Sequence, residues 1–254
     1  MKMKRAVQLF TMRNECAEDF PGVLRKIKEM GWDGVQIDGL FGYSAEEIAG
    51  VLNETKLEAA GMHIGADRMT EDLDNVMKES YLFGTKDIFC HFVEEEFQNP
   101  AGYFEVKQIL MDLAKKLQGL GFRIGYHHHD FEFHTKMNGG NALEYMLKKE
   151  NNMFLYPEFD TYWLKKGGVD PLEFIQRYSD RIPYLHFKDM TNDERETFAE
   201  VGTGLIDFQS IINYASKKDV EWLLVEQDEC EKDPFESIAI SKRNLDDFLN
   251  KVGN

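Results

Sequence analysis

The chain has 254 residues, 43% hydrophobic and 30% charged, with a formal net charge of −16 and a pI of about 4.9. That length supports one large domain with a well-buried core. A field this negative repels phosphate backbones and anionic bilayers, which excludes nucleic acid and membrane as expected main partners.

Along the chain, apolar and β-branched runs alternate with segments whose apolar residues recur every three and four positions. Strands are predicted at Ala6–Phe10, Gly34–Asp38, Leu57–His63, Asp87–Phe92, Arg123–His128, Met153–Phe159, Ile182–Phe187 and Trp222–Glu226. Helices are predicted between and after them, at Asp19–Met30, Ser44–Glu54, Thr70–Phe83, Phe104–Leu120, Asn141–Lys149, Pro171–Tyr178, Phe208–Lys218 and Pro234–Lys251. Gly31, Gly84 and Gly121 supply helix stops, and Ser44 with Glu47 makes a capping box. No linker interrupts the alternation, so residues 1–254 read as one (β/α)8 TIM barrel domain. A doubly wound sheet would be expected to carry a glycine-rich turn after its first strand; here that strand runs into Thr11-Met12-Arg13-Asn14. Cys16, Cys90 and Cys230 are far apart and form no CxxC, as expected of reduced thiols in a cytoplasmic protein. No run approaches the ~18 apolar residues of a membrane span.

Reactive groups of such a barrel sit where strands end. Six of the seven histidines fall there: His63, His91, His127, His128, His129 and His186, with His134 outside. Four segments close on a carboxylate or imidazole: Tyr126-His127-His128-His129-Asp130-Phe131-Glu132-Phe133, Phe159-Asp160-Thr161-Tyr162-Trp163, Tyr184-Leu185-His186-Phe187-Lys188-Asp189 and Leu224-Val225-Glu226-Gln227-Asp228. From 132 to 160, 160 to 186 and 186 to 226 the spacings are 28, 26 and 40 residues, about one strand-helix unit per step with the last lengthened. One rim would then gather Glu132, Asp160, His186 and Glu226, a donor set for a divalent metal. Three carboxylates and one imidazole favour Mn2+, with Mg2+ or Co2+ also suited and Zn2+ second choice.

These motifs, with Val201-Gly202-Thr203-Gly204, resemble the xylose isomerase-like superfamily of sugar phosphate isomerases and epimerases, in particular its inosose dehydratase-like and keto-sugar epimerase-like members. The resemblance covers essentially the whole chain and is most specific from Tyr126 to Asp228. It implies one divalent metal held by Glu132, Asp160, His186 and Glu226. Other members place the fifth-strand ligand nearer His127, so His127, His129 and Glu132 stay open as that contributor. The superfamily also holds DNA-repair endonucleases with three metals, and His63 and His91 resemble two of their ligands. Those enzymes need a histidine where Trp163 stands and another within 190–204, where this chain has none.

The implied activity is a metal-dependent isomerase or epimerase. It would move a proton next to the carbonyl of a ketose or keto-glycoside through a metal-stabilised enediolate, with Glu132 and Glu226 as proton carriers. Lys188, two residues past His186 and on the same side, would steady the developing negative charge. His63, His91, His127, His129, Glu158, Trp163 and Lys188 are expected to contact substrate, with Trp163 as an apolar wall. The alternatives are a lyase or dehydratase acting by β-elimination, and a non-catalytic sugar-binding barrel that keeps the metal. No arginine cluster awaits a phosphate, so the expected partner is an unphosphorylated small sugar, and a homo-oligomer is compatible with these features. The ordinary readings are packing for His128, a helix cap or solvated charge for Asp189 and Asp228, and a flexible rim loop for Gly202-Thr203-Gly204.

Overall fold

Eight parallel strands close into a barrel in a computed structural model that describes residues 3–252. They are β1 (Lys4–Gln8), β2 (Gly34–Asp38), β3 (Glu58–Ile64), β4 (Asp87–Cys90), β5 (Arg123–His127), β6 (Tyr156–Asp160), β7 (Tyr184–Phe187) and β8 (Trp222–Val225). Each pairs with its neighbours in chain order, and β8 closes on β1 through the Lys4–Trp222 to Val7–Val225 register. The return helices are α1 (Arg13–Glu29), α2 (Ala45–Thr55), α3 (Leu73–Phe83), α4 (Pro100–Leu117), α5 (Ala142–Met146), α6 (Pro171–Gln176), α7 (Phe208–Ala215) and α8 (Pro234–Asn250). Among the described residues no helix is long and apolar enough to cross a membrane.

Local chemistry explains the boundaries. Asn99, Asp170 and Asp233 each cap a helix with the side chain, and each is followed by a proline whose missing N–H costs nothing in the first turn. Ser44 and Glu47 form the expected capping box. Gly84 closes α3 in the left-handed region, φ +75°. The first strand is two residues earlier than its apolar run suggests, because Leu9–Met12 tighten into a 3-10 turn. Helix α1 begins before Asp19, breaks there, and is recapped by the Asp19 carboxylate accepting from Gly22 N–H ahead of the Pro21 turn.

Strand alternation sorts the residues into two faces. Outward residues such as Val35, Ile88, Ile124, Leu185 and Leu223 join the large apolar core under the helices. Inside the barrel, Ala6, Ala60, Phe89, Tyr184, Trp222 and Leu224 fill the N-terminal half. Beneath them Arg123 pairs with Asp87 and Glu221, and Tyr184 Oη donates to Asp87 at 2.5 Å. The next inward positions toward the C-terminal rim are polar: Gln8, Gln36, His127, Glu158 and His186, all buried. His63 joins this layer through a bulge. Register shifts by one residue between the Val35–Ala59 and Ile37–Met62 pairs, at Gly61 with φ +84°, so Ala60 and His63 both face inward although three apart.

The barrel wall leaves no room at Gly125 of β5. A Cβ there would lie 2.2 Å from Phe89 Cδ1 and 2.7 Å from the Tyr156 carbonyl oxygen. Gly125→Ala is expected to cost about 1–3 kcal/mol, read as a lower urea midpoint at unchanged slope.

Candidate functional site

At the C-terminal mouth lies a pocket of about 830 Å³. His63, His127, Lys188 and Glu226 contribute to its inner wall, with His91, His129, Trp163 and Asp228 also lining it. Immediately behind, ligand atoms of His127, Asp160, His186 and Glu226 lie within 4.8 Å of one another. All four residues are buried. The predicted Asp160, His186 and Glu226 are therefore brought together, while Glu132 is not.

Past His127 the chain leaves the strand and coils into a short helix, Phe131–His134. This carries the Glu132 carboxylate away from the other three, to accept from Tyr126 Oη at 2.6 Å and His129 N–H at 2.9 Å. Glu132 does not line the pocket, and His127 takes its place in the quartet. The donor set becomes two imidazoles and two carboxylates.

Each member is held from behind. Asp160 caps the short helix Thr161–Lys166, its Oδ1 accepting from Tyr162 N–H at 2.8 Å and Trp163 N–H at 3.0 Å. Its Oδ2 is left buried without a hydrogen bond, facing Lys188 Nζ at 3.3 Å. A buried carboxylate oxygen of that kind, beside two imidazoles and a second carboxylate, fits a divalent cation. His128 packs outward as expected, yet its Nε2 accepts the Asp160 N–H at 3.2 Å and so helps fix that strand end. Lys188 Nζ also lies 3.1 Å from Glu226 and 2.6 Å from Asp228. Asp228 is thus part of the pocket and not a helix cap.

Burial would raise the Glu226 carboxyl, but Lys188 and His186 hold it well below the usual carboxylate range. Burial would lower His186; the carboxylates of Glu158 and Glu226 outweigh it and raise the imidazole to about 10. On the pocket wall, desolvation keeps His91 down at about 4 and His129 well below the ordinary histidine value, so both are neutral hydrogen-bonding groups.

Glu158 departs from its expected role. It is fully buried and absent from the pocket wall. Gln36 donates to its Oε1 at 2.6 Å, while His63 Nε2 and His127 Nδ1 lie 2.5 and 3.2 Å from its Oε2. Among the described residues two further convergences of ligand atoms exist, His63–His127–Glu158–His186 and Asp38–His63–His91. Both draw on His63, whose Nδ1 already meets Gln8 Nε2 and whose Nε2 meets Glu158. The quartet containing Asp160 keeps an uncommitted donor. Gln8 and Gln36 escaped sequence reasoning; their one signal was a polar side chain two residues from an inward-facing Ala6 or Gly34. The Gly202-Thr203-Gly204 loop is no loose flap, since Asp189 accepts from Gly202, Gly204 and Ile206 N–H.

A family model described as xylose isomerase-like TIM barrel matches residues 24–247. The chain belongs to the xylose isomerase-like TIM barrel family. This xylose isomerase-like barrel is 26% identical to an inosose dehydratase of Geobacillus kaustophilus over 92% of each chain. Its fold matches a sugar phosphate isomerase/epimerase from Parabacteroides distasonis, with a TM-score of 0.80 and 19% identity over 97% and 99% of the two chains. It also matches an L-ribulose 3-epimerase, with a TM-score of 0.74 and 14% identity over 98% and 95%.

Burial lifts the Glu132 carboxyl of this barrel from 4.5 to about 7, against the opposing bond from Tyr126. A value raised on folding favours the protonated fold, so this contribution to stability is complete below pH 4.5 and is lost as pH rises through 7. Glu132→Gln is expected to remove that part of the decline, roughly 3 kcal/mol at most. Unfolding temperatures of the two proteins between pH 5 and 8 should therefore diverge in the variant's favour.

Proposed function

We propose that the chain is a divalent-metal-dependent enzyme that removes a proton next to the carbonyl of an uncharged keto-sugar or keto-cyclitol and then expels a β-hydroxyl as water, a dehydratase. The observation that carries this reading is Glu226, which belongs both to the quartet and to the pocket wall, with the Lys188 ammonium 3.1 Å away. His127, Asp160, His186 and Glu226 would hold the cation, which when bound would supply Lewis-acid polarisation of the carbonyl. Two nitrogen and two oxygen donors suit Mn2+, Co2+ or Zn2+ better than Mg2+.

The protein's own groups divide the remaining work. The Glu226 carboxylate takes the proton from carbon. Lys188, fixed by Asp160, Glu226 and Asp228, offsets the negative charge that develops on oxygen. Neutral His91 and His129 have unpartnered Nδ1 atoms and bind substrate hydroxyls, while Trp163 walls off one face. Among the described residues Lys188 is the one lysine or arginine lining the pocket, and Asp67, Glu71, Glu94, Glu96 and Glu105 stand around it. That charge balance disfavours phosphorylated substrates. The likeness to an inosose dehydratase along nearly the full chain supports elimination.

Isomerisation or epimerisation is the second reading. Its first step is the same, and the free imidazole nitrogens of His91 and His129 offer another place for a returning proton. Mass spectrometry of an inosose and of simple ketoses incubated in D2O separates the two. A dehydratase yields a product lighter by water; an epimerase conserves the skeleton and gains deuterium.

Metal analysis should find near-stoichiometric metal in the wild type and its loss in both Asp160→Ala and His186→Ala. Glu226→Gln should cut turnover by about 10²–10⁴-fold. A wild type without metal, and without thermal stabilisation by added Mn2+ or Co2+, would overturn the reading.

A further inference from the structure

The polar layer under the quartet is wired in one direction. Gln8 Oε1 accepts the Phe10 N–H at 3.0 Å, which fixes its amide so that Nε2 faces Gln36 Oε1 at 2.9 Å and His63 Nδ1 at 2.7 Å. An amide nitrogen only donates. His63 Nδ1 is therefore an acceptor, its proton resides on Nε2, and that proton goes to Glu158 Oε2 at 2.5 Å. Gln36, having accepted on Oε1, donates from Nε2 to Glu158 Oε1 at 2.6 Å. Glu158 thus receives hydrogen bonds on both oxygens and acts as an ionised acceptor.

Two quartet imidazoles meet the same carboxylate oxygen. His127 hydrogen-bonds it through Nδ1 at 3.2 Å, whereas His186 Nε2 lies 3.1 Å away as an ion-pair contact without a hydrogen bond. An acceptor-only oxygen there demands that His127 Nδ1 carry the proton of its hydrogen bond. The second nitrogen of His127 keeps its lone pair, and His186 turns its Nδ1 to the side of Glu226, 2.9 Å away. We propose that Glu158 is a positioning residue: held by the Gln8–Gln36–His63 relay, it locks His127 into the tautomer and orientation that the quartet needs to bind a divalent cation, without itself touching cation or substrate. The inference rests on the metal-site reading above and adds a role for Glu158, Gln8, Gln36 and His63 that catalysis alone does not require.

The test is Co2+ titration of the metal-free protein by calorimetry, with wild type, Glu158→Gln and Gln36→Leu, each first checked for cooperative thermal unfolding. Carboxylates behind ligating histidines are worth about 10- to 100-fold in metal affinity. The expected result is a loss of that size in Glu158→Gln and a smaller loss in Gln36→Leu, which leaves every imidazole and carboxylate in place. Wild-type Co2+ affinity in either folded variant overturns the proposal. If Glu158→Gln does not fold, Gln36→Leu decides alone. Histidine 15N spectra of the metal-free wild type give a readout that a merely structural role would not move. His63 is expected as the Nε2–H tautomer and His127 as the Nδ1–H tautomer, and the reverse assignment for His127 overturns the wiring. A wild type that binds no Co2+ fails at the metal-site reading beneath, whereas tight wild-type binding with indifferent variants fails only here.

Discussion

A carboxylate with no exposed surface stays ionised only when its lone pairs are answered, and Glu158 is the group on which the interior of this barrel depends in that way. Burial alone would raise its pKa, but the imidazoles packed against it, His186 and His63 together with the hydrogen bond from His127, hold it well below the ordinary range. Four neighbours from four strands converge on it: Gln36 on β2, His63 on β3, His127 on β5 and His186 on β7. Removing the charge would leave several buried donors unanswered at once. Such a network is stable as a whole and poor in parts.

The layer can exist because the two halves of the barrel interior are chemically separate. Phe89, Tyr184, Trp222 and Leu224 fill the N-terminal half and keep water from reaching the polar layer from below. The quartet residues are buried behind the pocket, so charges there interact in a medium of low polarity. Lys188 works within that medium. Its ammonium is almost completely buried, and burial would lower its pKa, but Asp160, Asp228 and Glu226 raise it instead.

Much of this was legible in the sequence, for reasons that differ from residue to residue. Strand and helix order followed from apolar periodicity, and the start of α2 from the Ser44–Glu47 capping box. Asp160, His186 and Glu226 could be picked out because each ends its strand at a spacing of one barrel unit or little more. Glu132 lies apart from these three because a motif conveys order along the chain but not where the strand stops; five residues past His127, the helical turn has already carried it away. Asp189 and Asp228 look alike on paper. One clamps three loop amides and the other holds Lys188, a difference set by which way the chain turns after β7 and β8. Gln8 and Gln36 were invisible, since an amide inside a strand has meaning only once its partners across the barrel are known.

The extra residue in β3 bears on how barrels of this kind can diversify. Parity along a strand is binary, so removing one residue near Gly61 would rotate the rest of the strand: His63 would turn toward the helices, and an apolar neighbour would take its inward place. An insertion or deletion there therefore rewrites the polar layer in one event, whereas substitutions would have to change inward and outward positions together. Chain length at this strand, more than residue identity, decides whether Glu158 finds its imidazole partner from β3. In aligning relatives, a gap placed one position off in β3 would pair an interior side chain with an exterior one, and would hide the layer.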